Sequence, residues 1–322
     1  MKALVTGGSG FVGAAVARAL LAEGARVRVL ARPGSDRRNL AGLAVEVCEG
    51  DVRTPASLPA ALHGCTHVYH LAALYSANPN DADLLYAVNV EGTRHLLQAA
   101  AAAGVERFVH TSTIGAIGRP PAADDLPTED VAFNLEESAS HYVLSKWRGE
   151  QLALAAAAAG DTAVVVVHPT APVGMGDWRP TATGGRILAY LRGQMPGFLA
   201  GGINFCGVDD IARGHLLAAA HGQIGRRYIL GHPAGNLDLG AFLALMHAAS
   251  GQPPPRPAQG WRARLTGLLR PAASPITAPA PARPAALTCN PARALAELHW
   301  TPGPLLEAFQ TAVTWYRASG LV

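Results

Sequence analysis

This chain of 322 residues has few of the residues that mark several common protein classes. Its four cysteines lie far apart and form no Cys-x-x-Cys pair, which argues against a disulfide framework or a zinc cluster and favours a reducing compartment. Its twelve histidines follow no His-Glu-x-x-His spacing. We therefore expect no metal site.

Charge and long apolar runs are also scarce. The net charge is +3 and charged residues make up 15% of the chain, without the basic patch of a nucleic-acid-binding protein. No apolar run reaches the ~20 residues that span a bilayer. The chain also enters a strand at once, which leaves no room for a signal peptide. We expect a cytoplasmic protein whose partner is a small molecule.

The opening segment carries the first functional signal. Its pattern predicts a buried strand over Lys2–Thr6 and a helix over Ala14–Glu23, joined by a glycine-rich turn. In such a turn Gly7 permits the tight bend, Gly10 lets the backbone approach a pyrophosphate, and Gly13 lets the helix pack closely. The start of the helix then faces the phosphates. The predicted cofactor contacts here are Gly7, Ser9, Gly10, Phe11, Val12 and Gly13.

The second predicted strand, Arg26–Ala31, indicates which nucleotide is bound. The residue that follows this strand faces the adenosine ribose, where an acidic side chain favours NAD. Here it is Arg32, with Arg37 in the next loop, and both could bind a 2′-phosphate. We predict NADP as the cofactor, with NAD as the alternative. The other interpretation of these arginines is a solvated basic loop.

Strands and helices then alternate, which is typical of a doubly wound parallel α/β sheet. We predict strands over Val45–Glu49, His67–Ala73, Arg107–Thr111, Val164–His168 and Arg227–Leu230, and helices over Asp83–Ala103, Ser138–Ala159 and Pro304–Ser319. Beyond Pro169 the pattern changes to Pro, Gly and short helices. We therefore divide the chain into a dinucleotide-binding domain, residues 1–169 and about 205–232, and a substrate-binding region, residues 170–204 and 233–322.

A tyrosine and a lysine four residues apart carry the predicted chemistry. Tyr142 and Lys146 share one face of their helix. A free tyrosine has a pKa near ~10. We expect the neighbouring lysine, together with the positive charge of an oxidised nicotinamide, to lower it so that the phenol can exchange a proton with an alcohol. Thr113 or Ser112, at the end of a neighbouring strand, supplies a hydroxyl to hold the substrate oxygen. Such a Tyr-Lys spacing also arises by chance in helices, and its position after a nucleotide motif favours catalysis.

The combination of motifs resembles the extended short-chain dehydrogenases/reductases, which have a Rossmann fold. The motifs are TGGSGFVG (6–13), GD (50–51), HLAA (70–73), NVEGT (89–93), TST (111–113) and YVLSK (142–146). That superfamily includes nucleotide-sugar epimerases, dihydroflavonol reductases and hydroxysteroid dehydrogenases. Residues 31–40, 168–187 and 207–218 are similar, more narrowly, to hopanoid-associated sugar epimerases.

The resemblance implies a role for several individual residues. Thr113 would be the catalytic hydroxyl, Tyr142 the acid–base, and Lys146 the group that binds the nicotinamide ribose. Asn89 would lie near the active site. Further cofactor contacts are implied at Asp51, Val52, Leu71, Ala72, Ala73, Ser112 and Pro169.

Two further expectations concern the surroundings of the site. We interpret His70 as a packed histidine at a strand end and not as a catalyst. The relatives form homodimers by pairing the helices that here span roughly 83–103 and 138–159, and we expect the same pairing.

The residues leave the reaction open. An epimerase must retain its cofactor, usually NAD, whereas Arg32 favours an enzyme that exchanges NADP. We predict an NADP-linked oxidoreductase of a secondary alcohol or ketone, sugar-like or hopanoid-linked. The alternatives are a sugar epimerase and a non-catalytic nucleotide sensor.

Substrate contacts are expected above the strand ends. The candidates are Tyr75, Thr113, Thr170, Arg179, Asn204 and Phe205. Residues 253–286 are rich in Pro and Ala, with a basic, partly amphipathic piece at Trp261–Arg270. This segment is either a loosely ordered connection or a contact with a membrane surface.

Overall fold

The computed structural model describes residues 1–122, 124–255 and 286–322. The strands are β1 (Lys2–Thr6), β2 (Arg26–Ala31), β3 (Val45–Glu49), β4 (His67–His70), β5 (Arg107–Thr111), β6 (Val164–Pro169), β7 (Ala171–Val173), β8 (Ile203–Gly207), β9 (Arg227–Leu230) and β10 (Asn236–Leu237). The predicted piece at Trp261–Arg270 lies outside the described residues. Of the helices described, none has the length and apolar character that crossing a membrane requires.

Seven parallel strands form the main sheet, in the order β3-β2-β1-β4-β5-β6-β9. The order reverses between β1 and β4, and in open α/β sheets ligands bind in the crevice at such a point, beyond the carboxyl ends of the strands. The predicted doubly wound α/β fold is confirmed. The crevice brings the glycine-rich turn after β1 close to the loop after β4.

Helices cover both faces of this sheet. The helices of the described chain are α1 (Phe11–Ala22), α2 (Leu58–Leu62), α3 (Ala82–Tyr86), α4 (Gly92–Ala102), α5 (His141–Ala159), α6 (Ala182–Leu191), α7 (Val208–His221), α8 (Leu239–Ser250), α9 (Ala292–Glu297) and α10 (Leu305–Ala318), of which α6, α8 and α10 pack in a separate core. Alternation along β1 sends Ala3 and Val5 into the core under α1 and α7, and Leu4 into the core under α2, α4 and α5. Strand β1 therefore contributes to two cores.

One helix contains a wider turn. Between α3 and α4 the chain continues through a π-helical turn over Ala87–Glu91, so that the three pieces follow one another as one helix. Such turns are rare and frequently lie at functional sites. This one carries Asn89.

The substrate-binding region has a sheet and a core of its own. Strands β7, β8 and β10 form a second sheet, and Phe205 on β8 packs against Phe242 of α8 and Phe309 of α10. The sequence pattern did not predict these strands, which are only two to five residues long. The domain boundary that we placed near residue 205 falls inside β8.

The ends of several elements differ from the predicted ones. Helix α1 begins at Phe11, within the glycine-rich motif, and β4 stops at His70, so that Leu71–Ala73 form a loop. Helix α5 begins at His141 because the hydroxyl of Ser140 accepts a hydrogen bond from the Val143 N–H at 3.4 Å.

Candidate active site

The glycine-rich turn fits a dinucleotide pyrophosphate. Gly7 has a φ of +69°, and a Cβ at this position would lie 2.7 Å from the backbone nitrogen of Ala72. A Cβ at Gly13 would overlap the carbonyl oxygen of Gly7. Gly10 precedes α1 and provides no side-chain cap, which leaves the first N–H groups of the helix available to an anion.

A cleft of about 860 Å³ opens beside this turn. Its volume lies in the upper part of the range found for small-molecule binding sites. The cofactor residues predicted from sequence that line it are Gly7, Ser9, Gly10, Phe11, Arg32, Asp51, Val52, Leu71, Ala72 and Ala73. The others do not line it: Val12, Gly13, Arg37, Ser112, Tyr142, Lys146 and Pro169.

Ion pairs hold the acidic side chains at the adenosine end of the cleft. Asp51 Oδ2 accepts from Arg53 Nη2 at 2.6 Å, and this hydrogen bond lowers the pKa of Asp51 against the opposing effect of its burial. Arg37 pairs with Glu49 at 2.5 Å, outside the cleft lining, so our expectation that it binds the cofactor does not match its position. Arg32 lines the cleft, and within the described chain no carboxylate pairs with it.

Thr113 and Tyr142 meet at the carboxyl end of β5. Burial raises the pKa of Tyr142 to about 12, against the opposing effect of the Thr113 hydroxyl. The expectation that Lys146, together with the positive charge of an oxidised nicotinamide, lowers this pKa stays a prediction. Lys146 is 3% exposed, and its Nζ donates to the Thr111 carbonyl oxygen at 2.6 Å. Burial lowers its own pKa to about 8, with Glu150 acting to raise it.

Ser112 belongs to a buried network behind the site. Its N–H donates to the Val167 carbonyl oxygen at 2.8 Å and its hydroxyl donates to Glu150 Oε2 at 2.6 Å. His168 Nε2 lies 2.8 Å from the same oxygen, and both side chains are fully buried. Burial would raise the pKa of Glu150, but His168, Ser112 and Arg227 together keep it below the usual value. Ser112 thus supports β5 and leaves Thr113 as the hydroxyl of the site. Sequence spacing gave no signal for this network.

Asn89 acts on the cleft through the backbone of Leu74. Its Oδ1 accepts from the Leu74 N–H at 2.8 Å, and its Nδ2 donates to the Leu74 carbonyl oxygen at 3.0 Å and to Ser145 Oγ at 2.9 Å. Asn89 is therefore a positioning residue for the loop that lines the cleft after β4.

His70 is packed, as we interpreted it. Its ring nitrogens lie 2.7 Å from Thr6 Oγ1 and 2.9 Å from Thr93 Oγ1. Burial lowers its pKa to about 3, so the ring is neutral.

Of the predicted substrate contacts other than Thr113, Tyr75 lies beside the catalytic tyrosine. Its side chain is 62% exposed and its ring stands edge-on to that of Tyr142, with 4.8 Å between centroids. Arg186, which the sequence analysis missed, is electrostatically coupled to Tyr75, and its guanidinium lies 5.8 Å from the Phe198 ring centroid. No spacing motif marks Arg186, because Tyr75 is far from it in sequence.

The remaining candidates are placed elsewhere. Asn204 is fully buried and bonds to His232 and Asn236, and Phe205 is fully buried in the second core. The Thr170 hydroxyl donates to the Leu230 carbonyl oxygen at 3.3 Å. Asn204 and Phe205 were expected above the strand ends, but they belong to β8 of the unpredicted second sheet and are buried there.

Residues 174–181, which we call the strap, line part of the adenosine end of the cleft. Asn39 Nδ2 donates to Gly176 O at 2.9 Å and to Ser9 O at 3.3 Å, which ties the strap to the glycine-rich turn. Gly176 has a φ of +100°. Behind it, Asp177 accepts hydrogen bonds from Thr181 and from the hydroxyl of Tyr316. Burial raises the pKa of Asp177 against these hydrogen bonds.

Comparison with known proteins identifies the family. The model of the NAD dependent epimerase/dehydratase family matches residues 3–231. The chain belongs to this family. It is therefore an NAD(P)-dependent enzyme of the extended short-chain dehydrogenase/reductase type, as the motifs implied.

Similar proteins of this family include reductases. A Synechocystis sp. protein named "Putative dihydroflavonol 4-reductase" is 41% identical over 258 residues, 78% of this chain and 73% of its own length. Sterol demethylase protein B of Methylococcus capsulatus is 35% identical over the full length of both chains. The crystal structure of gox2253 is 34% identical, with a TM-score of 0.84 over 99% of this chain and 98% of its own.

Proposed function

We propose that this family member is an NADP-linked oxidoreductase that interconverts a secondary alcohol and a ketone. The observation that carries the proposal is the placement of the Tyr142 phenol by the Thr113 hydroxyl, with the buried Lys146 one helical turn further along α5. The site thus has a hydroxyl to hold the substrate oxygen and a phenol to exchange its proton. A nucleotide sensor would need neither.

The chemistry divides between cofactor and protein. The nicotinamide of a bound dinucleotide supplies the hydride that a ketone carbon accepts. Thr113 holds the ketone oxygen, and Tyr142 donates the proton that completes the alcohol. In the reverse direction Tyr142 accepts that proton. Burial raises the pKa of Tyr142 to about 12, so the phenol carries its proton at neutral pH in the protein alone.

Arg32 supports NADP over NAD. It lines the cleft directly after β2, where an acidic residue would bind the ribose hydroxyls of NAD. A guanidinium at this position suits a 2′-phosphate.

The similar proteins support a ketone or alcohol on a ring system as the substrate. One is named for a dihydroflavonol and another for a sterol demethylase. A hopanoid-linked or sugar-like alcohol remains our proposal for the substrate class. We also propose a homodimer that pairs the helix from α3 to α4 with α5, which already pack side by side. For the compartment we propose the cytoplasm, since the four cysteines are free and three of them are buried.

The strap favours a sugar epimerase as the second candidate. Because the strap lines the adenosine end of the cleft, it would contact a bound dinucleotide and slow its release. An epimerase must retain its cofactor through both half-reactions.

The test is the identity and exchange of the bound nucleotide. The purified protein is denatured, and released NAD and NADP are separated in both redox states. We expect an empty or exchangeable site that binds NADPH more tightly than NADH and reduces a member of a panel of cyclic ketones and sugar aldehydes. Stoichiometric, non-exchanging NAD would instead support the epimerase.

A further inference from the structure

Arg179 lies at the adenosine end of the cofactor cleft. The sequence suggested a substrate contact, but in the structure Arg179 lines the same cleft as Arg32 and the loop that follows β2. Its positive charge also acts on the carboxyl of Asp36, a neighbour in that lining. Arg179 therefore faces the ribose region of the cleft from the strap, whereas Arg32 faces it from the main sheet.

The charges at this end of the cleft do not balance. Three arginines are each matched by one carboxylate, and the pairs are Arg37 with Glu49, Arg38 with Asp36, and Arg53 with Asp51. Arg32 and Arg179 have no carboxylate within ion-pair distance in the described parts of the chain. The strap's own acid, Asp177, is 2% exposed and accepts hydrogen bonds from Thr181 and Tyr316, so it does not neutralise them. Two positive charges remain beside the cleft.

The strap is fastened where it carries Arg179. Asn39 links Gly176 to the glycine-rich turn, and the guanidinium carbon of Arg38 lies 4.4 Å from the ring centroid of Trp178. On its other side Trp178 packs edge-on against Trp315 of α10, at 5.0 Å between centroids. These contacts hold Gly176 and Trp178, the strap residues that precede Arg179 in the lining of the cleft.

We propose that Arg179 is a cofactor-specificity residue that binds a phosphate monoester on the adenosine ribose together with Arg32. This inference rests on the proposed use of NADP. A phosphate monoester carries between one and two negative charges at neutral pH and forms bidentate, charge-assisted hydrogen bonds with guanidinium groups. The two unmatched arginines supply the complementary charge. Recognition of the 2′-phosphate is thus shared between the Rossmann sheet and the substrate-binding region.

Binding measurements test this without a substrate. Isothermal titration of NADPH, NADH, 2′,5′-ADP and ADP is compared for the wild type, Arg179→Ala and Arg32→Ala. Arg226→Ala serves as the matched control, because Arg226 is exposed and precedes β9 at the opposite, amino-terminal edge of the sheet. We expect Arg179→Ala to weaken NADPH and 2′,5′-ADP by about five- to tenfold, the effect of one charge-assisted contact. NADH and ADP should bind as to the wild type.

The outcomes separate the two proposals. A wild type that prefers NADPH, with Arg179→Ala unchanged, would overturn the role of Arg179 and leave the NADP assignment standing. Equal weakening of NADPH and NADH would also overturn it, because the strap would then act on the shared part of the dinucleotide. A wild type that prefers NADH would overturn the NADP assignment and this inference with it.

Discussion

The two ends of the cleft hold their charged groups in opposite ways. At the adenosine end Asp36 and Asp51 each pair with an arginine two residues away, on loops with partly exposed side chains. At the catalytic end Glu150 is fully buried and takes partners from β6 and from the residue that follows β5. Local pairs of the first kind depend little on the fold, whereas the second kind exists only once sheet and helix have packed. Specificity can therefore change at one end while the chemistry at the other is kept.

The largest effect that would test this contrast is at Tyr142. We expect Tyr142→Phe to lower turnover by about 10² to 10⁴, the usual contribution of a positioned acid–base. NADPH affinity should stay within about twofold, because the lost hydroxyl is not among the groups that line the adenosine end. Steady-state kinetics on the ketone that the wild type reduces, with a titration of NADPH, measures both.

Thr113→Ser is the matched control for this experiment. It keeps the hydroxyl that bonds to Tyr142 and should retain most of the turnover. Full activity of Tyr142→Phe would remove the tyrosine from the mechanism.

A smaller effect should appear in the stability of the catalytic end. The folded-state pKa of Lys146, about 8, lies below its ordinary value of 10.5, so its charge destabilises the fold below pH 8 and this penalty fades between pH 8 and 10.5. Lys146→Met should therefore be more stable than the wild type at pH 7, by up to about 3 kcal/mol. The difference should shrink as the pH approaches 10.5.

Urea unfolding of the two proteins between pH 7 and 10 measures this difference. If it stays constant with pH, Lys146 is not buried as a cation. Arg53, which forms an exposed ion pair at the adenosine end, provides the comparison. The difference in stability between Arg53→Met and the wild type should not change with pH in this range.

The smallest effect concerns the link between strap and turn. Asn39→Ala removes two hydrogen bonds and should weaken NADPH by about three- to fivefold, with a faster dissociation rate in stopped-flow fluorescence. NADH should be weakened less than NADPH, because this link fastens the strap that carries Arg179. A loss of NADPH affinity above about a hundredfold would mean that the hydrogen bonds of Asn39, and not the arginines, dominate cofactor binding at the adenosine end.

The sequence predicted those parts of the site that depend on short spacing. The glycine-rich turn, the end of β2 at Arg32, and Tyr142 with Lys146 each lie within one element or its end. The position of Arg37 depends on its pairing with Glu49, and that of Arg179 on the strap that carries it. The position of Ser112 depends on a helix that packs behind β5, and those of Asn204 and Phe205 on a second sheet of very short strands. Those outcomes follow from tertiary packing, which residue spacing does not encode.

The π-helical turn at Ala87–Glu91 makes the number of residues in this stretch as important as their identity. Deleting one residue there would restore an ordinary α-helical turn and improve the regularity of the helix. It would also rotate the preceding part of the helix by about 100° relative to α4, and the amide of Asn89 would no longer reach the Leu74 backbone. Many side chains along this helix can therefore be substituted in evolution. A change of length at this turn, however, would remove the hydrogen bonds by which Asn89 holds the Leu74 backbone at the cleft.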